Sequence, residues 1–577
     1  MDSEITKQVQ YPFIDVVSFA FDKQKAFDNG KPLYIDAEDP RRSLDYTQTR
    51  QLVRRIIAGL RAHGLRKGET VLVHLFNNYA YPAMFLGIVG AGGLFCATNP
   101  KLKSELANIM ALSQPRFIIT TEELLAQLRE WTPVASDEVI IFDSESLSKK
   151  SHRVPILDDP SLRPFRTLMD HGEEDWPEIR SEHEVKATPA SYFLTSGTTG
   201  CPKLATLSHY SMVAHFSMIH QQVPYAPVRL SCLPLFHMFG GAWALANTIR
   251  HGQPMYIMSN AAKFDVNRYV AYIAKYGATE TSMAPPIVAQ LNSLEDSSAL
   301  RDGLKTLRWI GVGGAPITAE TLAKFKTRLH PDATLSGVYG ATELGTIVMF
   351  RYGEQDTTGS VGRPAPGVHI QIRKPAKDGS TATTCGEPAN ASGEIFISAE
   401  SRMIGYRGTS ESSKVDVDWY CTGDLGCMEN GKLYITGKAK DIMKVNGFQV
   451  SPTEIEAALL EHPEIDDCAV SKVVKEDGTE LPQAFVVRRD RSVSEQDVKE
   501  FARQRLVHYK QLTGGVVFVT QIPKLASGKI QRHKLQEQPL DIDMNTGDSN
   551  GYISGLKGWC ISVLASIFPF RGPLQKL

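Results

Sequence analysis

Thr195-Ser196-Gly197-Thr198-Thr199-Gly200-Cys201-Pro202-Lys203 is a stretch rich in glycine and hydroxyl side chains that ends in a lysine and follows a short apolar run. Glycines let backbone N–H groups approach an anion closely, the hydroxyls add donors, and Lys203 adds a positive charge. This composition predicts a loop that binds polyphosphate. The common nucleotide loop has four residues between its glycines, whereas only two separate Gly197 from Gly200. A flexible surface turn is the alternative interpretation.

Size and composition are those of a multidomain globular protein. A length of 577 residues exceeds what one hydrophobic core can organise, which predicts roughly two to four domains. The net charge of −1 gives no reason to expect a nucleic acid or an anionic membrane as the main partner. A small-molecule substrate is therefore the default expectation.

Cysteines and chain ends bear on location. The eight cysteines are scattered, without a Cys-x-x-Cys pair or metal-ligand spacing, which predicts reduced thiols in an intracellular, cytoplasmic protein. The first residues lack a basic region followed by an apolar core, which argues against a secretory signal. Gln575-Lys576-Leu577 resembles a peroxisomal address, with glutamine where a small residue is preferred, so the peroxisome is the alternative location.

Residues 538–577 form a tail of distinct composition. Residues 541–551 are polar, which predicts disorder, and residues 555–570 are apolar and aromatic. The apolar run is too short to span a bilayer. A docked or frayed segment and a weak peripheral membrane contact are the two interpretations.

Periodicity predicts an α/β fold. Helical and extended patterns alternate from Tyr34 to Leu125, which is typical of a largely parallel sheet. Apolar residues at helical spacing predict an amphipathic helix over Arg50–His63, and Ala83–Ala97 predicts a buried helix and turn. The predicted strands are Val71–Leu75, Phe117–Thr120, Met255–Met258, Leu307–Ile310 and Thr346–Met349.

Three other regions differ in pattern. Residues 144–184 are rich in charge, proline and serine, which predicts a surface excursion that leads into the phosphate loop. Residues 359–435 contain short extended pieces separated by turns, which predicts a small β-rich subdomain. Residues 440–535 return to mixed α and β.

Six further stretches, taken in order with the loop, resemble the adenylate-forming (AMP-binding) superfamily over about Tyr34–Leu535, and within it the 4-coumarate–CoA ligase-like acyl-CoA synthetases, notably fungal ones. The stretches are Gly313-Gly314-Ala315-Pro316, Tyr339-Gly340-Ala341-Thr342-Glu343, Trp419–Asp424, Lys438-Ala439-Lys440-Asp441 through Lys444, Gly447–Pro452 and Pro523–Lys529. The resemblance implies a large N-terminal domain, residues 1–437, of two α/β subdomains and a small β-rich subdomain. A small, mobile α+β C-terminal domain, residues 438–537, would follow it.

The resemblance also implies a reaction and its cofactors. A carboxylate attacks the α-phosphate of ATP to give an acyl adenylate and pyrophosphate, and a thiol, that of CoA, then displaces AMP. Negative charge accumulates on the phosphoryl groups in the first transition state, so cations and fixed donors must offset it. ATP, Mg²⁺ and CoA are the expected cofactors.

By this resemblance, individual residues receive roles in nucleotide binding. Residues of the loop, Thr195, Ser196, Gly197, Thr198, Thr199, Gly200 and Lys203, would hold the β- and γ-phosphates. Thr342 would contact the α-phosphate and Glu343 would ligate Mg²⁺. The adenine would lie between the wall formed by Gly314, Ala315 and Pro316 and the ring of Tyr339, which Gly340 follows. Asp424 would accept hydrogen bonds from the ribose hydroxyls, and Lys438, in place of the family's usual arginine, would contact the ribose.

The resemblance assigns the mobile domain two tasks. Lys529 resembles the lysine that bridges the acyl carboxylate and the α-phosphate during adenylation. Rotation about a hinge at Lys440 would withdraw Lys529 and present the CoA side of this domain to the thiol channel. The residues of that side are Lys444, Gly447, Phe448 and Gln449.

Ordinary structural alternatives stand beside these roles. Glu343 could be a solvated loop carboxylate, Tyr339 a core residue and Asp424 a turn aspartate. Lys529 could be an exposed surface lysine, and His237 a hydrogen-bonded core histidine.

The residues around His237 bear on the substrate. Amino-acid-activating relatives carry an aspartate beside the phenylalanine of this stretch, whereas here Phe236 is followed by His237. The ammonium of an amino acid would be left unpaired, so a plain acid is favoured, with His237 at the entrance to its pocket. An aryl, medium-chain or polyketide-derived acid of secondary metabolism is expected. The alternatives are a ligase that loads a carrier-protein thiol and a nucleotide-binding protein that has lost catalysis.

Overall fold

The computed structural model describes residues 9–22, 26–101, 103–143, 147, 159, 161–195, 203–374, 383–384, 392–408, 418–446, 448–475, 478–490, 492–524 and 529–537. The described chain divides into two compact units: the first comprises the residues up to Thr436 together with Lys529, and the second comprises the other residues from Gly437 onward. The predicted tail, residues 538–577, lies outside the described residues. No helix among the described ranges is long and apolar enough to cross a membrane.

The helices are numbered in chain order. They are α1 (Val16–Phe21), α2 (Tyr46–Ala62), α3 (Tyr81–Gly90), α4 (Lys103–Ser113), α5 (Glu122–Trp131), α6 (Glu182–Ala187), α7 (His209–Ile219), α8 (Met238–Ala244), α9 (Asn247–His251), α10 (Val266–Tyr276), α11 (Pro285–Ser293), α12 (Ser298–Leu304), α13 (Ala319–Lys326), α14 (Pro452–Leu459), α15 (Glu495–Arg505) and α16 (Lys534–Glu537).

The strands are numbered in the same way. They are β1 (Tyr34–Asp36), β2 (Ser43–Leu44), β3 (Thr70–His74), β4 (Leu94–Ala97), β5 (Pro115–Thr120), β6 (Val139–Ile141), β7 (Arg163–Pro164), β8 (Pro189–Thr195), β9 (Lys203–Ser208), β10 (Arg229–Ser231), β11 (Met255–Ile257), β12 (Glu280–Met283), β13 (Trp309–Gly313), β14 (Thr334–Ala341), β15 (Gly345–Met349), β16 (Arg363–Pro364), β17 (His369–Lys374), β18 (Thr383–Thr384), β19 (Gly393–Ser398), β20 (Gly405–Tyr406), β21 (Tyr420–Glu429), β22 (Lys432–Lys438), β23 (Met443–Val445), β24 (Phe448–Val450), β25 (Ile465–Val474), β26 (Glu480–Arg488) and β27 (Val516–Phe518).

Two large mixed sheets organise the first unit. One has the order β20-β9-β8-β4-β3-β5-β6-β7, and the other has the order β16-β15-β14-β13-β12-β10-β11-β1-β2. In the first sheet, strands β3 to β8 pair in parallel with one another. In the second sheet, β1 and β10 to β14 pair in parallel. Strands β9, β15, β16 and β20 pair antiparallel with their neighbours. The predicted α/β fold with largely parallel sheets is confirmed.

Helix α2 packs against α3 and against the segment Phe165–His171. It begins four residues before the predicted start because Asp45 and Gln48 form a capping box. The predicted apolar face is buried, with Ile56 and Leu60 fully enclosed. The neighbouring helix α3 packs closely on it through Gly87, where a Cβ would lie 2.6 Å from Cγ2 of Ile56. This close contact explains the glycines of the predicted buried helix and turn.

The excursion predicted for residues 144–184 differs from expectation in its described part. Phe165 and Leu168 are buried in the core, and a short 3₁₀ helix spans Phe165–His171. Asp175 accepts a hydrogen bond from Nε of Arg54 on α2 at 2.9 Å. The segment thus packs against α2. Its apolar residues lie among charges without regular spacing, so periodicity does not reveal their burial.

The β-rich subdomain predicted for residues 359–435 is a five-stranded sheet with the order β18-β17-β19-β21-β22. In β19 every second residue from Gly393 is buried, which is the period of a strand with one face toward the core. This sheet carries Asp424 in the middle of β21.

The second unit combines a three-stranded sheet, β25-β26-β27, with the hairpin β23-β24. Helices α14 and α15 pack on it through Ile455, Leu459, Val498 and Ala502, which are fully buried. Ser494 and Asp497 form the capping box that starts α15. This architecture matches the mixed α and β predicted for residues 440–535.

Candidate functional site

The loop that the sequence singles out joins two paired strands. Thr195 ends β8 and Lys203 begins β9, and these two residues are register partners in the antiparallel pair. Residues 196–202 between them, including Ser196, Gly197, Thr198, Thr199 and Gly200, lie outside the described residues. The described strands therefore fix both ends of the predicted phosphate loop at one edge of the sheet.

Glu343 lies in the turn between β14 and β15 and is 6% exposed. Its Oε1 accepts a hydrogen bond from Oγ1 of Thr195 at 2.8 Å and another from the hydroxyl of Tyr406 at 2.7 Å. A carboxylate held by two donors keeps one orientation. Glu343 is thus a fixed carboxylate bonded to Thr195, the first residue of the predicted phosphate loop, not the solvated loop residue of the alternative interpretation.

Tyr406 also faces the lysine at the other end of the loop. Nζ of Lys203 lies 4.9 Å from the centre of the Tyr406 ring, within range of a cation–π interaction. The hydroxyl of Tyr420 lies 3.3 Å from that of Tyr406. Sequence reasoning missed Tyr406, because a single tyrosine in a short two-residue strand gives no periodic or spacing signal.

Thr342, the residue before Glu343, is 9% exposed. Its Oγ1 lies 3.5 Å from the carbonyl oxygen of Leu194, the residue before Thr195. The turn after β14 and the end of β8 therefore meet, as the predicted roles of Thr342 and Thr195 require.

The residues predicted to bind the nucleoside lie on three strands or their ends. The hydroxyl of Tyr339, on β14, donates to Oδ2 of Asp424, on β21, at 2.8 Å. Burial and then the charge of Asp424 raise the pKa of the Tyr339 hydroxyl, so it stays protonated and donates. The backbone N–H of Asp424 donates to Oγ1 of Thr422 at 3.1 Å. Asp424 is half-buried and carries its acceptor oxygens in a defined direction.

The glycines of this region permit close backbone approach. A Cβ on Gly340 would lie 2.1 Å from the carbonyl oxygen of Gly345, and one on Gly313 would lie 2.4 Å from that of Val338. Gly314 has a φ of +91°, so the chain turns sharply after β13. Gly314 and Pro316 are exposed and Ala315 is half-exposed, as a wall for a ligand requires.

His215 supports the β14–β15 turn from behind. Nε2 of His215, on α7, accepts the backbone N–H of Thr346 at 2.9 Å. Burial lowers the pKa of His215 to about 4, so the ring is neutral at neutral pH and can accept. The sequence stretch around α7 carries no signal for this role, because a histidine in an apolar helix has many possible partners.

His237 precedes the helix α8. It is exposed, and its backbone N–H donates to the carbonyl oxygen of Pro234 at 3.2 Å. The residue is accessible to solvent, although burial of the ring by neighbouring atoms lowers the pKa of its imidazole. Gly240, one turn later, has no room for a Cβ, which would lie 2.0 Å from the Pro234 carbonyl oxygen.

Lys438, Lys440 and Lys444 lie near the start of the second unit. Lys438 ends β22, Lys440 lies in the 3₁₀ turn Ala439–Asp441, and Lys444 lies exposed on β23. The backbone N–H of Lys444 donates to Oε2 of Glu480 at 2.6 Å. Gly447 lies outside the described residues.

Phe448 is an exposed aromatic of the predicted CoA side. It begins β24, is 47% exposed and stacks on Tyr509 with ring centres 4.2 Å apart. Gln449 follows it and pairs with Lys444 across the hairpin.

Lys529 is grouped with the first unit, and the described residues Lys524 and Arg532 on either side of it in sequence each form ion pairs. Lys524 and Ile530 form an antiparallel bridge, and Nζ of Lys524 lies 2.6 Å from Oδ2 of Asp467. Three residues beyond Lys529, Arg532 forms ion pairs with the buried Glu456 and with Asp441, at 3.2 Å in the second case. Lys529 itself is half-buried.

The residues around Glu343 suit a hard divalent cation. The hydroxyls of Thr195 and Tyr406 both use Oε1, and the hydroxyl of Tyr420 also interacts with this carboxylate. No cluster of three or more histidines, cysteines or acids that could hold a metal occurs in the described part of the chain. A single carboxylate fits Mg²⁺, which is usually bound through one or two carboxylates together with substrate phosphates.

Comparisons with known proteins extend over most of the chain. Residues 21–407 match the family model of the AMP-binding enzyme, and residues 454–529 match that of the AMP-binding enzyme C-terminal domain. A nicotinic acid-CoA ligase, olcI of Penicillium canescens, is 35% identical over 542 residues, which are 90% of this chain and 97% of that protein. A phenylacetyl-CoA ligase, epaB of Aspergillus niger, is 36% identical over 543 residues, 92% of this chain and 98% of that protein.

Solved structures share the fold at low identity. ATP-bound MatB from Rhodopseudomonas palustris has a TM-score of 0.75 at 23% identity, covering 91% of this chain and 98% of that one. The anthranilate CoA ligase AuaEII in complex with anthranoyl-AMP has a TM-score of 0.75 at 22% identity, covering 93% and 98%.

Proposed function

The chain belongs to the AMP-binding enzyme family, and from this premise we propose that it is an AMP-forming acid–CoA ligase. It converts a carboxylic acid and ATP to an acyl adenylate and pyrophosphate, and then transfers the acyl group to CoA with release of AMP. The observation that carries the proposal is the fixed carboxylate of Glu343, hydrogen-bonded to Thr195 at the start of the predicted phosphate loop.

Residues of the first unit bind and orient ATP in this proposal. The loop from Thr195 to Lys203 holds the β- and γ-phosphates, and Thr342 donates to the α-phosphate. Asp424, oriented by Tyr339, accepts the two ribose hydroxyls while the Tyr339 ring lies against adenine. Mg²⁺, when bound through Glu343, neutralises charge that develops on the phosphates. Lys529 neutralises charge between the acyl carboxylate and the α-phosphate.

We assign the CoA side to the second unit. We propose that the stretch that carries Lys444, Gly447, Phe448 and Gln449 serves the thiol half-reaction after the domain rotates about Lys440. Lys438 contacts the ribose as a single point charge.

The substrate that we propose is an aryl acid, with medium-chain and polyketide-derived acids as further candidates. His237 follows Phe236, and no aspartate stands beside them to pair an ammonium group. The relatives named as nicotinic acid-CoA and phenylacetyl-CoA ligases support an aromatic acid and a place in secondary metabolism. We place the enzyme in the cytoplasm, from its scattered cysteines.

A pyrophosphate-release screen over aryl and aliphatic acids tests this function. With one acid, release should be stoichiometric without CoA and catalytic with CoA, and mass spectrometry should detect the acyl-CoA thioester. If pyrophosphate release turns over only with an acyl carrier protein, the thiol of that protein, and not CoA, is the acceptor. ATP binding with no acid-dependent release from any acid would instead indicate a protein that has lost catalysis.

A further inference from the structure

Tyr406 lies between the two charged groups that border the phosphate loop. Its hydroxyl donates to Oε1 of Glu343, and its ring faces Nζ of Lys203. The three residues are distant in sequence and belong to separate strands or turns. One side chain thus contacts the carboxylate on one side of the loop and the ammonium group on the other.

The backbone around Tyr406 holds it in this position. Strand β20 pairs antiparallel with β9, with Tyr406 opposite Ala205, two residues after Lys203. The N–H of Arg407 donates to the carbonyl oxygen of Leu204 at 2.9 Å. On the other side, the N–H of Met403 donates to the backbone carbonyl oxygen of Glu343 at 2.8 Å. Residues 403–407 therefore link the strand that leaves the loop to the turn that carries Glu343.

The two contacts act on different groups. A hydroxyl that donates to Oε1 fixes the plane of the Glu343 carboxylate, so that Oε2 keeps one direction. An aromatic face under Lys203 holds a long, flexible side chain that otherwise has many rotamers. The contact of the hydroxyl with Glu343 thus affects the cation site, and the contact of the ring with Lys203 affects the phosphate site.

We propose that Tyr406 is a positioning residue for ATP binding, whose hydroxyl orients Glu343 toward Mg²⁺ and whose ring orients Lys203 toward the phosphates. The inference rests on the proposed function, since it takes MgATP as the ligand of this site. Tyr406 itself does not contact the reacting atoms in this proposal.

Two substitutions separate the contact of the hydroxyl from the contact of the ring. Tyr406→Phe removes the hydroxyl and keeps the ring, whereas Tyr406→Leu removes both. Tyr434→Phe is the matched control, because Tyr434 lies in the first unit and its hydroxyl lies 2.7 Å from Oγ1 of Thr358.

The measurement is calorimetric binding of α,β-methylene ATP, whose α–β bridge cannot be cleaved to transfer AMP to the acid, with and without MgCl₂. In the wild type, Mg²⁺ should tighten binding. Tyr406→Phe should reduce this Mg²⁺-dependent gain by about 10-fold, as expected for one lost hydrogen bond to a carboxylate, with the metal-free affinity unchanged. Tyr406→Leu should in addition weaken metal-free binding by roughly 2- to 5-fold.

The ratio of affinities with and without Mg²⁺ is taken within each variant, so a general loss of stability does not mimic the effect. An unchanged ratio in Tyr406→Phe, or an equal loss in Tyr434→Phe, would overturn the inference. If the wild type binds the analogue and releases pyrophosphate from ATP, and Tyr406→Phe does both equally well, the role of Tyr406 is refuted while the proposed function stands. Wild-type protein that does neither refutes the proposed function, and this inference with it.

Discussion

The hydroxyl of Tyr339 donates a hydrogen bond of 2.8 Å to Oδ2 of Asp424, across 85 residues of sequence. The bond joins β14 of one large sheet to β21 of the five-stranded sheet. It gives the Asp424 carboxylate one orientation before any ligand arrives, which in the proposed role of Asp424 would lower the entropic cost of binding a ribose diol.

Asp424→Asn tests this orientation. The amide keeps the size of the carboxylate but loses a charged acceptor for Tyr339 and for the ribose. We expect the KM for ATP in pyrophosphate exchange to rise about 10- to 100-fold. Tyr339→Phe, which keeps the ring, should raise it by less. Asp332→Asn, at an exposed site, is the control, and an equal KM in Asp424→Asn and this control would contradict the assignment.

Gly345→Ala should destabilise the turn that carries Glu343. Gly345 has a φ of +72°, and a Cβ there would lie 2.6 Å from Cδ2 of His215. Backbone strain and the steric clash together should lower the free energy of unfolding by about 2–4 kcal/mol in urea titrations. Gly353→Ala has a similar φ of +91° with nothing within 4 Å, so it isolates the strain. Equal losses in the two variants would show that the His215 contact has no cost.

His215 should make stability depend on pH. Burial lowers its folded pKa from 6.5 to about 4. Between these values the unfolded chain binds the extra proton, so the stability that neutral His215 contributes is complete above about pH 6.5 and is lost as the pH falls toward 4.

His215→Gln removes this titration. The slope of unfolding free energy against pH should be smaller than in the wild type by about 1.4 kcal/mol per pH unit between roughly pH 4.5 and 6. Urea unfolding at half-unit steps of pH measures the slope. Parallel curves for the two proteins would mean that His215 titrates alike in the folded and unfolded states.

Lys529→Ala and Lys444→Ala should separate the half-reactions. Loss of Lys529 removes a charge that offsets the adenylation transition state, so acid-dependent pyrophosphate exchange should fall by about 10²- to 10³-fold. Lys444→Ala should keep exchange within a few-fold and lose most thioester formation.

The control for both is Lys499→Ala, a surface lysine that pairs with Glu495 on α15. Exchange and thioester formation are measured on the same preparations. If both variants lost both activities to the same extent, Lys529 and Lys444 would not serve separate steps.

Much of the fold was predictable because local patterns agree with the final packing. The apolar stripe of α2 is buried as its spacing predicts, and the parallel strands follow the predicted apolar runs. The described part of the excursion, in contrast, packs through Phe165 and Leu168. Leu168 packs against Gly59 of α2 and Phe165 packs against Phe142, and no local pattern encodes these contacts.

The sequence by itself determined the family, the α/β class and the types of residue at the site, because spaced glycines, hydroxyls and charges mark phosphate chemistry locally. Tertiary structure alone decided that Tyr406 and Thr195 share one oxygen of Glu343, and that His215 supports the turn beneath it. Such contacts join residues more than 60 positions apart, and only the packing of strands and helices brings them within hydrogen-bond distance.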